Sequence, residues 1–504
     1  TCALPIYDGY RLVNEIGASG AQDFAGKSVA LADFNGDGYA DVLVGAYLDD
    51  VGGDGSGSVY VSLGAPTRTT DVNLNGTVTG TGGFRIVGET GGDQAGFSVA
   101  AAGDVNNDGF EDIVIGAPGN DAGGNNAGAA YLVYGRLGPT AAIDLDAIAS
   151  GVGGFKLQGP GPSQEAGSSV AGVGDVNNDG YDDFLVGAGG FNFLNPIPQD
   201  AAAFLIYGGP TRSSMINLAA PPVGVVSIIA ETAGDGSGFS VAGGGDINGD
   251  GFADLIIGAP DADPGGIDSG AIYVVFGGAL SGTINLGTVA GGGGGFKIIG
   301  QAPDDYAGTS VASAGDFNND GFDDILIGAP ENNSAGGDSG TAYLIFGKAT
   351  PFGTIDLDTI AGGSGGFRIV AELGSDYLGA AVHGAGDVNG DGFDDLIVGA
   401  PDHDIGGNNS GAGYVIFGRA QAPTAILLDD VAAGIGGARI LGERGGDGLS
   451  LFSNWGGDGL GFAVSGGADV NNDGLADIVL GSPYSDAFGE NGGAAHLIYG
   501  WVLV

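Results

Sequence analysis

Short apolar runs of four to six residues recur along the whole chain, each closed by Gly, Asp or Pro. They fall into four kinds that follow one another in fixed order. The first reads Lys27-Ser-Val-Ala, Phe97-Ser-Val-Ala or Phe239-Ser-Val-Ala. The second reads Val42-Leu-Val-Gly-Ala, Ile113-Val-Ile-Gly-Ala-Pro or Ile325-Leu-Ile-Gly-Ala-Pro. A turn of the type Asp-x-Gly-Gly-x-x-Ser-Gly leads to the third, Ala130-Tyr-Leu-Val-Tyr-Gly or Ala342-Tyr-Leu-Ile-Phe-Gly. The fourth is Phe84-Arg-Ile-Val-Gly-Glu, Phe296-Lys-Ile-Ile-Gly or Phe367-Arg-Ile-Val-Ala-Glu. Runs this short, rich in β-branched and aromatic residues and bounded by turn formers, are strands. No stretch carries a long helical period with caps, so the chain reads as all-β.

Between the first and second runs lies an acidic loop, Asp-x-Asn-x-Asp-Gly-x-x-Asp. Seven copies occupy 33–41, 104–112, 175–183, 246–254, 316–324, 387–395 and 469–477, so the spacing is 70 or 71 residues until a final step of 82. A fixed period means one supersecondary unit stacked on its neighbours. Four antiparallel strands repeated seven times predict a seven-bladed β-propeller with four-stranded antiparallel blades. The chain runs out after the third run of the last unit, His496-Leu-Ile-Tyr-Gly, while Tyr10-Arg-Leu-Val-Asn-Glu fits the fourth. The N-terminal strand is therefore expected to close the last blade and remove an open edge. This makes 10–504 a single domain. Residues 1–9 are expected to be a non-native or disordered start, because Thr1–Ile6 is foreign to the repeat and its codons resemble a sequencing-adapter end. The chain then reads as a truncated piece of a longer, environmental reading frame.

The composition narrows the partners. Against 61 acidic residues stand 13 basic ones, a net charge of −48. Such a surface repels nucleic acid and anionic lipid, and no apolar run reaches membrane-spanning length, so neither nucleic-acid binding nor membrane insertion is expected. The single cysteine, Cys2, excludes a disulfide framework. Metal clips are the expected substitute for cross-links.

The acidic loops have the chemistry for that role. Side chains at positions one, three, five and nine bring four oxygen-bearing groups to one turn, position seven adds a carbonyl, and Gly at six allows the sharp bend. The expected ligands are Asp33, Asn35, Asp37, Tyr39 (carbonyl) and Asp41 in the first loop, and Asp104, Asn106, Asp108, Phe110 and Asp112 in the second. The third offers Asp175, Asn177, Asp179, Tyr181 and Asp183, and the fourth Asp246, Asn248, Asp250, Phe252 and Asp254. Asp316, Asn318, Asp320, Phe322 and Asp324 form the fifth set, and Asp387, Asn389, Asp391, Phe393 and Asp395 the sixth. Asp469, Asn471, Asp473, Leu475 and Asp477 form the last. Donors that are all oxygen, without Cys or His, select Ca²⁺ over Zn²⁺, and Mg²⁺ demands a tighter octahedron. About seven structural Ca²⁺ follow. The competing reading is that Asn, Asp and Gly only make turns, but turn-making does not require an acid at position nine in every copy.

No catalytic set is legible. His496 takes the slot of Tyr131 and Tyr343 and reads as packing, as does His383, whereas His403 lies in a turn between Asp402 and Asp404. Two departures from the repeat stand out: Phe191 and Phe193 in one turn, and Phe452 and Trp455 in the long connection before the seventh loop. Both belong to the face opposite the acidic loops. They read either as drift of surface loops or as contacts for a protein or glycan ligand.

Phe-x-Ser-Val-Ala, the Asp-rich loop and Ile-x-Ile-Gly-Ala-Pro, recurring together in that order, resemble the FG-GAP repeat of integrin α-subunit propellers over Tyr10–Gly500. Integrin propellers carry calcium loops on only some blades, whereas all seven match here, and no Arg-Gly-Asp or inserted adhesion domain is present. The resemblance implies the propeller fold and bound calcium. It also implies an extracellular module, secreted or on a bacterial cell surface, monomeric within a larger chain and acting in adhesion or ligand binding without catalysis. Extracellular modules meet calcium at the concentration such loops need. Two alternatives share the resemblance: a carbohydrate-binding lectin, and the accessory propeller of a polysaccharide- or phospholipid-acting enzyme such as a phospholipase D.

Overall fold

The computed structural model of the chain describes residues 9–14, 22–66, 68, 70–74, 82–138, 142–189, 201–210, 213–349, 352–421, 423–442, 457–486 and 491–502. Seven small sheets make seven blades. In the first, Ser28–Ala32, Asp41–Ala46, Ser58–Ser62 and Gly83–Val87 pair in antiparallel order. The first strand of each blade touches the first strand of the next, and Ala463–Ala468 of the last blade returns to Ser28–Ala32. The ring is closed as expected: Gly9–Val13 pairs antiparallel with Ala494–Ile498, with Gly9 opposite Ile498 and Val13 opposite Ala494. That strand begins at Gly9, inside the segment expected to be a foreign start.

The core is divided among the junctions between blades. Seven clusters of buried apolar residues each join two neighbours; one packs Tyr10, Leu12 and Leu497 of the seventh blade against Val42, Val44 and Tyr60 of the first. Each second strand lies between two junctions, and its residues are buried along the whole length. This is why that run is continuously apolar rather than alternating.

The small residues of the repeat are explained at the same junctions. Ser28 Oγ donates to the Gly96 carbonyl of the next blade at 2.9 Å, and Ser98, Ser169, Ser240 and Ser310 repeat the bond at 2.7–3.0 Å. Gly45 faces that contact, where a Cβ would stand 2.1 Å from the Gly96 oxygen and 2.2 Å from Ser28 Oγ. Only glycine admits the neighbour's backbone there.

Two features go beyond four antiparallel strands. In six blades a fifth, parallel strand of two or three residues covers the outer edge, donated by the connection between strands three and four of the following blade. Four of these strands run directly into a one-turn helix: Leu145–Ala149, Leu286–Ala290, Leu357–Ala361 and Leu428–Ala432. Asp144, Asn285 and Asp356 cap three of them by accepting a backbone N–H two residues on. Buried Leu and Ile or Val, three residues apart, pin each helix to its blade. Among the described residues the sixth blade alone has no covering strand. The connection that would donate it lies where the ring is assembled from the two ends of the chain.

Candidate metal centre

All seven acidic loops join strands one and two, at one end of the ring, and share one internal bonding pattern. The position-one carboxylate accepts the N–H of position five at 2.9–3.1 Å and that of the Gly at position six at 2.7–2.9 Å. The position-five carboxylate accepts the N–H of position seven at 2.9–3.1 Å. These bonds fold Asp33, Asn35 and Asp37, and their six counterparts, over one turn. The position-seven residues Tyr39, Phe110, Tyr181, Phe252, Phe322, Phe393 and Leu475 lie at the end of it.

Position nine is different in kind. Asp41, Asp112, Asp183, Asp254, Asp324, Asp395 and Asp477 open the second strand and are fully buried. One oxygen of each accepts the N–H of a glycine beyond strand three at 2.7–2.9 Å. In five loops the other oxygen accepts the N–H of position two at 2.7–3.1 Å. In the first and fifth loops the Phe34 and Phe317 N–H groups approach outside hydrogen-bond geometry, so Asp41 Oδ2 and Asp324 Oδ2 are buried without a partner. Asn106 Oδ1, Asn318 Oδ1 and Asn389 Oδ1 at position three are orphaned in the same way.

Burial, and then the carboxylates at positions five and one, drive the position-nine acids up against the pull of the glycine N–H. Asp41, Asp112 and Asp324 rise to about 8, and Asp183, Asp254, Asp395 and Asp477 to about 7. Among the described residues, no group of three or more His, Cys, Asp or Glu side chains already converges on a point. What each loop offers is an all-oxygen donor set, unpartnered buried acceptors in several copies, and a carboxylate that is costly to ionise without a cation beside it. That set fits a hard divalent ion.

Position eight carries a contact that the motif did not lead one to expect. Glu111, Asp182, Asp323 and Asp394 reach across to the preceding loop and accept the position-one N–H of Asp33, Asp104, Asp246 and Asp316 at 2.7–2.9 Å. Gly103, Gly245 and Gly315, at φ of +65° to +74°, leave the space these Asp side chains occupy. Loops with Ala40, Ala253 or Ala476 at position eight lack this clasp. The signal was present as an acid beside the last motif position in four copies.

The other candidates resolve as follows. His403 is fully buried, with Nε2 3.3 Å from Glu372 Oε2, and holds the slot filled by Asn120 and Asn332 in other blades. His496 lies 3.0 Å from Ser482 Oγ, and burial lowers it to about 4. His383 lies in a first strand with Nδ1 2.7 Å from the Gly384 carbonyl oxygen. All three are packing residues. Phe191, Phe193, Phe452 and Trp455, and residues 1–8, lie outside the described residues. The face on which the aromatic pairs are expected is nevertheless defined, since turn Asp49–Gly57 bonds to connection Gly88–Ala95 on the side away from the acidic loops.

Fold and loops together define the class: a closed seven-bladed β-propeller carrying an acidic, oxygen-rich loop on every blade. The FG-GAP repeat model matches seven times, at 25–62, 95–133, 166–204, 237–275, 307–345, 378–416 and 460–498, and the chain belongs to the FG-GAP repeat family. Chicken integrin alpha-V is 34% identical over 239 residues, covering 46% of this chain and 20% of that protein. Bovine phosphatidylinositol-glycan-specific phospholipase D is 34% identical over 189 residues, covering 37% of this chain and 21% of that one. Integrin alpha pat-2 of Caenorhabditis briggsae is 31% identical over 185 residues, 35% of this chain and 14% of its own. The chain thus spans about a fifth or less of the length of these relatives. The crystal structure of BBS1N in complex with ARL6DN, soaked with lead, aligns over 98% of this chain and 96% of its own with a TM-score of 0.43 and 9% identity, a likeness too weak to bear on function.

Proposed function

We propose that the chain is a calcium-binding extracellular propeller, a non-catalytic adhesion or ligand-binding module of a larger secreted or surface protein. The observation that carries this is the fully buried position-nine carboxylate, held beside two further carboxylates in all seven loops and made costly to ionise by that burial and crowding. A Ca²⁺ ion would be held by the side chains at positions one, three, five and nine with the position-seven carbonyl, and would neutralise the crowded acids. Its role is structural: it fixes the link between strands one and two in every blade. Similarity to an integrin alpha subunit supports the adhesion reading.

The test is thermal melting of the chain in millimolar Ca²⁺ against excess EGTA, with Mg²⁺ as control, together with calcium counted by calorimetry. A Ca²⁺-selective rise in melting temperature with about seven ions per chain is expected from the loop count. Equal melting in all three buffers overturns the metal reading and the extracellular placement with it. Similarity to a phosphatidylinositol-glycan-specific phospholipase D favours a second reading, the accessory propeller of an enzyme. A catalytic domain in the complete reading frame would decide for it.

A further inference from the structure

The axis of the ring opens, on the face opposite the acidic loops, into a cavity of about 550 Å³. Its wall is built from the residue that leads strand one in each blade. Phe97, Phe239 and Phe462 are aromatic there, and Ser168, Thr309 and Ala380 are small, which leaves the room. The seventh is Lys27. Its Nζ lies 4.6 Å from the Phe97 ring centroid and 4.4 Å from that of Phe462, between its two neighbours in the ring. Behind it Tyr47, Phe24 and Tyr484 continue the aromatic arc from Phe97 to Phe462 with centroid spacings of 5.6–5.8 Å.

We propose that this axial mouth binds a small organic monocarboxylate with an aromatic or branched apolar body, Lys27 serving as its counter-ion and Phe97, Phe239 and Phe462 as its walls. Charge is the first argument. Arg11, Lys156, Lys297 and Arg439 each pair with an acid at 2.5–2.6 Å, yet Lys27 has no carboxylate within 4.0 Å among the described residues, in a chain with 61 acids. Aromatic faces attract an ammonium but replace only part of its lost hydration. A carboxylate arriving from solution supplies the missing partner. Burial lowers the amine to about 8, so it stays mostly protonated at neutral pH and keeps its charge for that role. Shape is the second argument: the volume and ring-lined wall suit a compact apolar body with one fixed polar anchor. Glu165, the one acid among the lining residues, adds repulsion that grows with each negative charge on the ligand, which favours a monoanion over a dianion.

The proposal does not rest on the metal reading. It is tested on the full chain, folded in millimolar Ca²⁺, by calorimetric titration with phenylpropionate. Phenethylamine, of similar shape and opposite charge, and inorganic phosphate are the controls. Saturable binding of phenylpropionate at one per chain is expected, with neither control binding. Lys27→Met should weaken it by about tenfold or more. Ala380→Trp, which narrows the cavity from the sixth blade, one that does not adjoin the blade of Lys27, should weaken it at least as much, and both variants should melt like the parent. Absence of phenylpropionate binding overturns the proposal, as does equal affinity in Lys27→Met or binding of phosphate at the same site.

Discussion

Replacing Asp395 by asparagine should change the sign of its effect with calcium. Asp395 is fully buried, accepting from Gly418 N–H at 2.8 Å, Val388 N–H at 3.1 Å and Asn389 Nδ2 at 3.3 Å. Burial, with Asp391 and Asp387 beside it, raises its carboxyl from 3.8 to about 7. The folded pKa is above the unfolded one, so the folded state is penalised as pH rises through that interval and is free of the penalty below it. At about pH 8 without a cation, keeping this carboxylate ionised in the folded chain costs about 4 kcal/mol, an upper figure for one loop. Asp395→Asn removes that charge but turns an NH₂ group toward one of the two backbone donors, a loss of about 1–3 kcal/mol. In excess EGTA the variant should therefore equal the parent or exceed it by a kcal/mol or two. In Ca²⁺ at a hundred or more times its dissociation constant, the parent loop gains about 3–4 kcal/mol that the variant, having lost a charged ligand, gains only in part. Melting temperatures of both proteins in the two buffers decide the matter. A variant destabilised equally in EGTA and in Ca²⁺ would refute the reasoning, because Asp395 would then be only a hydrogen-bond acceptor.

Two further predictions address the links between blades. Gly245→Ala places a Cβ at φ +65° and 2.2 Å from Asp323 Oδ2, which should cost about 2 kcal/mol or more. Asp323→Ala alone, losing a 2.7 Å bond, should cost about 1–2 kcal/mol. The double variant should cost clearly less than the two together, since the clash disappears with Asp323; strict additivity in urea unfolding would show that the two do not share this contact. Glu372 accepts from Arg439 at 2.6–2.7 Å and from Tyr414 OH at 2.8 Å. Burial opposes its charge, but these bonds outweigh it and hold the carboxyl below the usual range. Its stabilisation is present above the unfolded value and is lost as pH falls through the lower, folded one. Glu372→Gln should thus cost about 2–3 kcal/mol near neutrality and converge with the parent in acid. A gap independent of pH counts against the pairing.

Seven blades, their strand order and the closing strand were legible because each rests on a local signal repeated seven times. An apolar run, a loop with a fixed Gly and a matching fourth-strand pattern at Tyr10 suffice. The fifth strands were not legible. Ile143–Asp144 is two residues long and has no periodicity, and its partner, Ile86–Val87, belongs to another blade. The short helices after them were hidden for the same reason, although Asp144 and Asp356 cap them. In the loops the composition pointed to positions one, three, five, seven and nine. It did not reveal that position nine is also bonded to two backbone donors in five of the loops, or that position eight grips the neighbouring loop in four. Lys27 was visible only as a basic residue in a slot that Phe97 and Phe239 occupy elsewhere. Its meaning depends on the ring bringing blades one, two and seven to a common axis.

The strand that closes the ring has a mechanical consequence. Gly9 and Ile498 lie side by side at the same end of an antiparallel pair. A pull between them loads the cross-strand bonds one after another, as a zip is opened, rather than all five residue pairs in shear. The seam between the first and last strands is then the weak point under tension, whatever the ring's resistance to heat. Stretching single molecules from those two ends should open the seventh blade first and at low force, leaving the other six folded.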